Sequence, residues 1–180
     1  MKAPRSLRSA SVLAFSLALL AAACGRPAPE TRFLNFDAES STGALTTGWS
    51  GFEKTGEGDT FVWAQARVAT VTVSAGSAAD RLVRFRAWPF GWDGAPPQTV
   101  TISVNDVRLE TITLPGGQRV YTVSSPGPAW KRGLNVLKLE FAWAESPKDR
   151  VPGATDARTL AAGFDWIEIL PVSSGGLRRP

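Results

Sequence analysis

Short runs in which apolar and polar residues alternate dominate the chain from Arg32 to Leu170, and glycine, proline, asparagine and aspartate separate them. A period of two places successive side chains on opposite faces of a β-strand. The pattern predicts strands near residues 32–37, 59–64, 67–74, 81–88, 98–105, 107–114, 118–124, 134–143 and 164–170. Helical periodicity is nearly absent. The sequence therefore predicts an all-β fold, an antiparallel β-sandwich of jelly-roll type with about nine strands.

The segment from Thr99 to Leu114 shows this pattern most clearly. Its alternation predicts one half-buried strand up to Val104 and a second strand from Val107. Asn105 and Asp106 lie between them, and both residue types tolerate the positive φ that a two-residue hairpin turn requires. The apolar phase then slips, which predicts a β-bulge near Glu110 or Thr111.

The amino-terminal segment has the features of an export signal. Three basic residues, Lys2, Arg5 and Arg8, precede an apolar run from Ser11 to Ala23 that ends on Cys24, the single cysteine of the chain. This run is shorter than the roughly 20 apolar residues that a membrane-spanning helix needs. The residues before Cys24 resemble the bacterial lipobox, with Ala21 where that motif usually carries leucine. The resemblance implies that Cys24 is acylated and begins the mature protein; the alternative is an ordinary secretory signal.

This reading divides the chain into four parts: a lipoprotein signal peptide (1–23), a proline-bearing linker (24–31), the β-sandwich domain (32–171) and a disordered tail (172–180). The expected location is the bacterial cell envelope, where an exported lipoprotein is anchored to a membrane. Gly25 stands where sorting rules place an acidic residue for inner-membrane retention. The resemblance to those rules therefore favours the outer membrane.

Charge argues against nucleic acid as a partner. The whole chain has a formal net charge of +4, but three of its 20 basic residues leave with the signal segment and all 16 acids stay, so the mature chain carries +1. Such a chain has no basic stripe able to neutralise several phosphates.

The residue inventory also predicts that the protein is not an enzyme. The chain has no histidine, so a Ser-His-Asp or Cys-His arrangement is excluded. Glycan cleavage would need two converging carboxylates, and the acids Asp93, Glu145, Asp149 and Asp156 show no pairing in their spacing. Tyr121, the one tyrosine, is predicted to lie on a buried strand face. No cofactor is expected, except for a structural calcium ion for which Asp37 and Glu39 are candidate ligands.

Seven tryptophans provide the best chemical lead, because an indole face stacks on a sugar ring as readily as it fills a core. Val83, Phe85 and Ala87 share one strand face, which places Trp88 with Arg84 and Arg86 on the opposite, solvated face. The following turn carries two more site candidates. The candidate carbohydrate-binding residues are Trp49, Arg86, Trp88, Trp92 and Asp93.

An alternative reading stays open for these residues. Trp88 can pack under a loop while Arg84 and Arg86 pair with acids on a neighbouring strand and stack on the ring. Trp49 and Trp130 lie in loops, where each either plugs an end of the sandwich or meets a ligand. Trp143 continues the apolar face of its predicted strand and is assigned to the core.

Several short motifs resemble the galactose-binding-like jelly-roll modules of bacterial envelope and polysaccharide-handling proteins. They are Gly48-Trp49-Ser50-Gly51-Phe52-Glu53, Thr60-Phe61-Val62-Trp63-Ala64, Val104-Asn105-Asp106, Leu134-Asn135-Val136-Leu137-Lys138-Leu139, Asp156-Ala157-Arg158-Thr159-Leu160 and Phe164-Asp165-Trp166-Ile167. One departure is Asp106, where many such hairpins carry glycine. The resemblance implies carbohydrate binding or assembly contacts more than catalysis.

Two functions follow from these observations. The first is a lipid-anchored, non-catalytic envelope protein whose jelly-roll domain binds a glycan or polysaccharide. The alternative is a structural or assembly subunit of a membrane complex for polysaccharide synthesis or export, in which exposed aromatic residues bind protein rather than glycan.

Overall fold

The computed structural model describes residues 30–36, 41, 43–56 and 58–172. Five predictions fall wholly or mostly outside these residues: the signal peptide, the acylation of Cys24, the linker, the calcium ligands Asp37 and Glu39, and the tail. They stay predictions.

The described residues form eleven strands, one short α-helix and one 3₁₀ turn at Gly127–Ala129. The strands are β1 (Phe33–Asn35), β2 (Leu45–Thr47), β3 (Glu53–Lys54), β4 (Thr60–Ala64), β5 (Val68–Ala75), β6 (Arg81–Pro89), β7 (Gln98–Val104), β8 (Val107–Leu114), β9 (Arg119–Ser125), β10 (Gly133–Phe141) and β11 (Ala162–Pro171). The helix is α1 (Pro147–Arg150). Within the described ranges, no helix is both long and apolar enough to span a membrane.

Two antiparallel sheets face each other. One has the order β3-β4-β11-β6-β9, with β1 paired to β11 beyond the end of β4, and the other has the order β2-β5-β10-β7-β8. The prediction of an antiparallel β-sandwich of jelly-roll type is therefore confirmed.

The core lies between the sheets and consists of the inward half of each alternating strand. In β6, Val83, Phe85 and Ala87 are almost completely buried, and Arg84 and Arg86 lie on the outer face, as the alternation predicts. Leu137 and Leu139 occupy the facing position on β10. Burial of these side chains is the main stabilising contribution to the sandwich.

Strands β2 and β3 were not among the predicted strands, although the other nine were. They contain three and two residues, too few for an alternation to be read. Pairing with β5 and β4, rather than local pattern, makes these segments strands.

The hairpin between β7 and β8 is formed as predicted. Asn105 and Asp106 have φ values of 47° and 68°, the signature of a two-residue turn with both residues in the left-handed region. The bulge lies one residue earlier than predicted, because Glu110 pairs with Ile102 and Arg108 with Ser103, which leaves Leu109 as the extra residue.

A second bulge, in β11, determines the sheet face on which Trp166 lies. The register shifts between Phe164 and Trp166, so Asp165 is the extra residue. Phe164 and Ile167 can then both face the core while Trp166 lies on the outer face.

The assignment of Trp143 to the core is wrong. Strand β10 ends at Phe141, and the chain bends at Ala142, whose N–H donates to the Thr99 carbonyl. Side chains alternate between the two faces of a sheet only within a strand, so the alternation does not predict the position of a residue beyond its end. Trp143 is half-buried at the end of the sandwich instead.

Candidate functional site

Three neighbouring strands bring two tryptophans together on the outer face of the six-stranded sheet. Gly163 in β11 pairs with Trp63 of β4 on one side and with Trp88 of β6 on the other. Because glycine has no side chain, the two indoles meet across it, with ring centres 6.1 Å apart.

Trp88 is less exposed than the sequence predicts for a residue on a solvated strand face. Its indole covers Gly163, and its ring centre lies 5.2 Å from that of Phe61. Trp88 is consequently half-buried. The sequence correctly predicted the face on which Trp88 lies, but the solvation of that face was wrong because Phe61 and Trp63 also occupy it.

Phe90 connects this pair to the end of the sandwich. Its ring lies 6.4 Å from Trp63, 5.5 Å from Trp92 and 6.4 Å from Trp143. A continuous set of rings thus runs from the outer face of the sheet to its end. We call this set the aromatic ridge; its members are Phe61, Trp63, Trp88, Phe90, Trp92 and Trp143.

A groove of about 420 Å³ lies beside the ridge and is called the end groove. Trp143 lines it, and Trp92 packs against Trp143 with ring centres 4.8 Å apart and planes inclined by 70°. The lining residues are mostly apolar: Pro89, Phe90, Gly91, Ala95, Pro96, Pro97, Gln98, Thr113, Leu114, Pro115, Gly116 and Trp143. A concave, largely apolar surface with a few polar groups is the usual form of a small-molecule site.

Gln98 holds the walls of the end groove in place. Its side chain is only 1 % exposed, and its Nε2 donates to the carbonyls of Trp143 (2.9 Å) and Ala161 (3.1 Å). A buried amide with satisfied hydrogen bonds fixes loop geometry. The indole Nε1 of Trp143 is buried and has no hydrogen-bond acceptor within the described part of the chain.

The segment between β10 and β11, residues 145–160, borders the aromatic ridge. Its base is closed by two backbone hydrogen bonds between Glu145 and Leu160. Arg150, in α1, places its guanidinium 5.3 Å from the ring centre of Trp92 and pairs with Glu145 at 3.1 Å. This segment is therefore fixed by hydrogen bonds and by a cation–π contact.

A second ion pair connects this segment to β3. Arg158 donates to Asp156 at 2.7 Å and to the Glu53 carboxylate. The Arg158 guanidinium lowers the pKa of the Asp156 carboxyl below its ordinary value, and the two carboxylates raise the pKa of Arg158. Asp156 is thus held in the ionised state.

The two arginines on the same face as Trp88 form ion pairs with acidic residues of the neighbouring strand β11. Arg84 pairs with Glu168 at 2.8 Å, and Arg86 pairs with Asp165 at 2.9 Å. The Arg84 guanidinium lies 5.9 Å from the ring of Trp166 rather than over Trp88. The alternative reading, ion pairing across strands, is the correct one for both arginines.

Trp49 has a structural position, away from the end groove. Its ring packs edge-on against Phe164 at 5.4 Å and near Phe36 at 5.8 Å, and its Nε1 donates to the Thr70 carbonyl at 2.8 Å. Because Thr70 is in β5 and Phe164 in β11, this tryptophan connects the two sheets. Trp130 is likewise buried, and its Nε1 donates to Ser125 Oγ.

The structure therefore brings together part of the predicted site. Trp88 and Trp92 belong to the aromatic ridge, and Asp93 is exposed in the turn after Trp92. Arg86 lies next along β6 but is engaged by Asp165, and Trp49 lies elsewhere. Trp63, Phe90 and Trp143 were missed; a glycine inside a strand, at position 163, was the available signal that another group approaches the backbone there.

The other residues considered for catalysis or metal binding do not form a common site among the described residues. Tyr121 stacks on Phe85 at 5.3 Å, as its predicted buried face implies, and burial raises its pKa. Among the described residues, no group of three acidic, histidine or cysteine side chains is arranged to hold a metal ion.

Comparison with solved structures identifies the fold. Part of the family GH115 4-O-methyl-α-glucuronidase BtGH115A, an enzyme with specificity for decorated arabinogalactans, is similar with a TM-score of 0.50 and 13 % identity, covering 81 % of this chain and 18 % of that one. A family 35 carbohydrate-binding module from Clostridium thermocellum gives a TM-score of 0.49 and 12 % identity, covering 79 % and 100 %. The family 6 module of Cellvibrio mixtus lichenase 5A, in complex with cellotriose, gives 0.46 and 13 %, covering 81 % and 100 %.

No protein-family profile matches the sequence, and no curated protein matches it. At these identities the likeness is one of fold. The jelly-roll fold implied by the sequence motifs is confirmed by the two-sheet topology, and the fold shared with part of BtGH115A agrees with it.

Proposed function

We propose that the protein is a non-catalytic glycan-binding module, held in the bacterial cell envelope by a lipid on Cys24, and that it binds saccharide at the end groove. The pair of indoles of Trp92 and Trp143 beside this groove carries the proposal. The fold shared with part of an arabinogalactan-specific enzyme supports the same class of ligand.

The chemistry of the end groove matches that of a pyranose. A sugar ring presents C–H groups on its faces and hydroxyl groups around its rim, so it requires an apolar surface bordered by hydrogen-bonding groups. Phe90, Leu114 and Trp143 supply the apolar surface. Thr113 is exposed in the lining and provides a hydrogen-bonding group, and Asp93 is exposed in the turn between Gly91 and Ala95, two further lining residues.

Arg150 adds a donor beside the same surface. Its guanidinium lies over Trp92 and is held there by Glu145. Guanidinium N–H groups that are not used by the carboxylate can donate to sugar hydroxyl oxygens. The site then combines stacking with directed hydrogen bonds, which is how a shallow groove gains specificity.

Titration of a glycan selected from an array tests the site. We expect Trp92→Ala and Trp143→Ala each to weaken binding by roughly tenfold or more, a loss typical of a central aromatic contact at an interface. Trp166→Ala is the matched control, because Trp166 is a partly exposed tryptophan on the outer sheet face, outside the end groove. Binding that survives both groove substitutions would place the site elsewhere.

One of the candidate acids, Asp156, supports the non-catalytic part of the proposal. Asp156 is ionised beside Arg158, whereas glycan cleavage needs a carboxylic acid that stays protonated. We expect the purified protein to release no reducing ends from the glycan that it binds. Product accumulating with time would assign an enzymatic function instead.

A further inference from the structure

Both ends of the described chain lie at one end of the sandwich. Glu30 accepts a hydrogen bond from Arg81 Nη2 at 2.7 Å, and Val172 N–H donates to the Asp80 carbonyl at 3.0 Å. Arg81 begins β6, and Pro171, the last residue of β11, pairs with it. We call this region the terminal end.

The chain is firmly attached to the domain from Glu30 onward. Arg81 is 2 % exposed, and its Nη1 donates to the carbonyls of Ser77 (2.9 Å) and Ala79 (2.8 Å), which holds the guanidinium toward Glu30. The next residue, Thr31, donates its N–H to the Ser74 carbonyl at 2.7 Å. A force applied to the linker is therefore transmitted directly to the terminal end.

The terminal end and the end groove are at opposite ends of β6. That strand runs from Arg81 to Pro89, and eight residue steps at about 3.3 Å each give a separation of roughly 26 Å. Pro89 lines the end groove.

A lipid on Cys24 would keep the terminal end close to its membrane. Six residue steps separate Cys24 from Glu30, and a fully extended chain of that length spans on the order of 20 Å. A tether of this length limits the distance but leaves the tilt of the domain to surface contacts.

The surface of the terminal end is basic and apolar. Lys131 and Arg132 are exposed in the loop between β9 and β10, and the Arg32 side chain is 68 % exposed. Leu134 is 62 % exposed and Val172 is 46 % exposed.

The acids of the terminal end do not cancel this charge. Glu30 is paired with Arg81, and Asp106 shares its hairpin with Arg108, so the Asp80 carboxylate stands against Arg32, Lys131 and Arg132. Lysine and arginine beside an exposed leucine form the combination that binds anionic lipid at a bilayer interface.

We propose that the terminal end docks on an anionic phospholipid bilayer, with Lys131 and Arg132 at the headgroups and Leu134 at the interface, so that the end groove faces away from the membrane. The inference rests on the proposed function only through the anchor at Cys24. Each basic residue at the surface strengthens contact about fivefold, which is enough to orient a tethered domain. An oriented domain presents its groove to polymer beyond the membrane.

A tethered-vesicle experiment tests the docking without depending on acylation. Because the chain has no histidine and a single cysteine, a hexahistidine tag replacing residues 1–23, combined with Cys24→Ser, gives a unique attachment to nickel-chelating lipid. A nitrobenzoxadiazole dye is placed on Leu134→Cys or, as the matched control, on Asp93→Cys beside the groove. On vesicles containing phosphatidylglycerol, we expect a blue shift and quenching by spin-labelled lipid for the dye at position 134 only.

Charge reversal separates docking from simple proximity. Lys131→Glu with Arg132→Glu should abolish the response at position 134, whereas Arg119→Glu with Lys148→Glu, an equal charge change at exposed positions, should leave it intact. Equal responses at positions 134 and 93, or a response that survives the first double substitution, would overturn the proposal. Glycan binding in solution is measured on untethered proteins that keep Asp93 and carry no dye, so failure of docking and failure of the glycan site give different results.

Discussion

The indole of Trp88 lies so close to Gly163 that a Cβ atom at residue 163 would be 2.4 Å from Trp88 Cε2. This approach sets the position of Trp88 and, through Phe61 and Trp63, of the outer part of the aromatic ridge. A backbone atom of β11 is therefore as important for the ridge as the rings themselves.

Replacement of Gly163 by alanine should displace Trp88. The added methyl group must move the indole or the strand, and overpacking of this kind costs about 1–3 kcal/mol. We expect a decrease in melting temperature of several degrees, together with a change in tryptophan fluorescence, measured on the purified domain. Gly51→Ala is the matched control, because a Cβ at residue 51 meets open space. Unchanged stability of Gly163→Ala would mean that Trp88 moves freely.

Trp49 and Trp92 should respond differently to truncation, although both were predicted as ligand contacts. Trp49→Ala removes a ring between the two sheets and one of the hydrogen-bond donors to the Thr70 carbonyl, so we expect a loss of roughly 3 kcal/mol in unfolding free energy. Trp92→Ala, at a half-buried position outside the core, should cost less than half as much. Urea denaturation measures both values, and equal losses would show that Trp92 is also a structural residue.

Much of the fold follows from local alternation. Nine strands were predicted because each buries one face, and that constraint is visible within a single segment such as 81–88. Strands β2 and β3 were missed because their pairing partners, not their own residues, determine them.

The candidate site was predictable only in part. Which face carries Trp88 is a local property, but its neighbour Trp63 depends on the register between strands far apart in sequence. The ion pair between Arg86 and Asp165 similarly depends on the bulge in β11. A single sequence does not show which residues of distant strands pair with each other. Arg86 was therefore predicted as a ligand contact.

Asp106 is a position where a small change should stabilise the protein. Its φ of 68° lies in the left-handed region, which costs an L-residue free energy and costs glycine none. Asp106→Gly should therefore raise the unfolding free energy by about 0.5–1 kcal/mol, whereas Asp106→Val should lower it. Thermal denaturation of the two variants beside the parent decides this, and a decrease for both would show that the Asp106 carboxylate itself contributes.

Acid sensitivity should depend on Glu30. Arg81 lowers the pKa of the Glu30 carboxyl below its ordinary value, mainly through their hydrogen bond, so the folded state holds this proton less tightly than the unfolded state. The resulting stabilisation is complete above the unfolded-state pKa and is lost as the pH falls through the lower folded-state value.

Glu30→Gln should remove this contribution. At neutral pH we expect a loss of about 1–3 kcal/mol, because the buried Arg81 guanidinium loses its charged partner. As the pH falls below about 4.5, the parent should lose stability faster than the variant, so that their unfolding free energies converge. Glu140→Gln is the matched control, since Glu140 forms an exposed pair with Lys138. Parallel pH curves for the parent and Glu30→Gln would exclude the linkage.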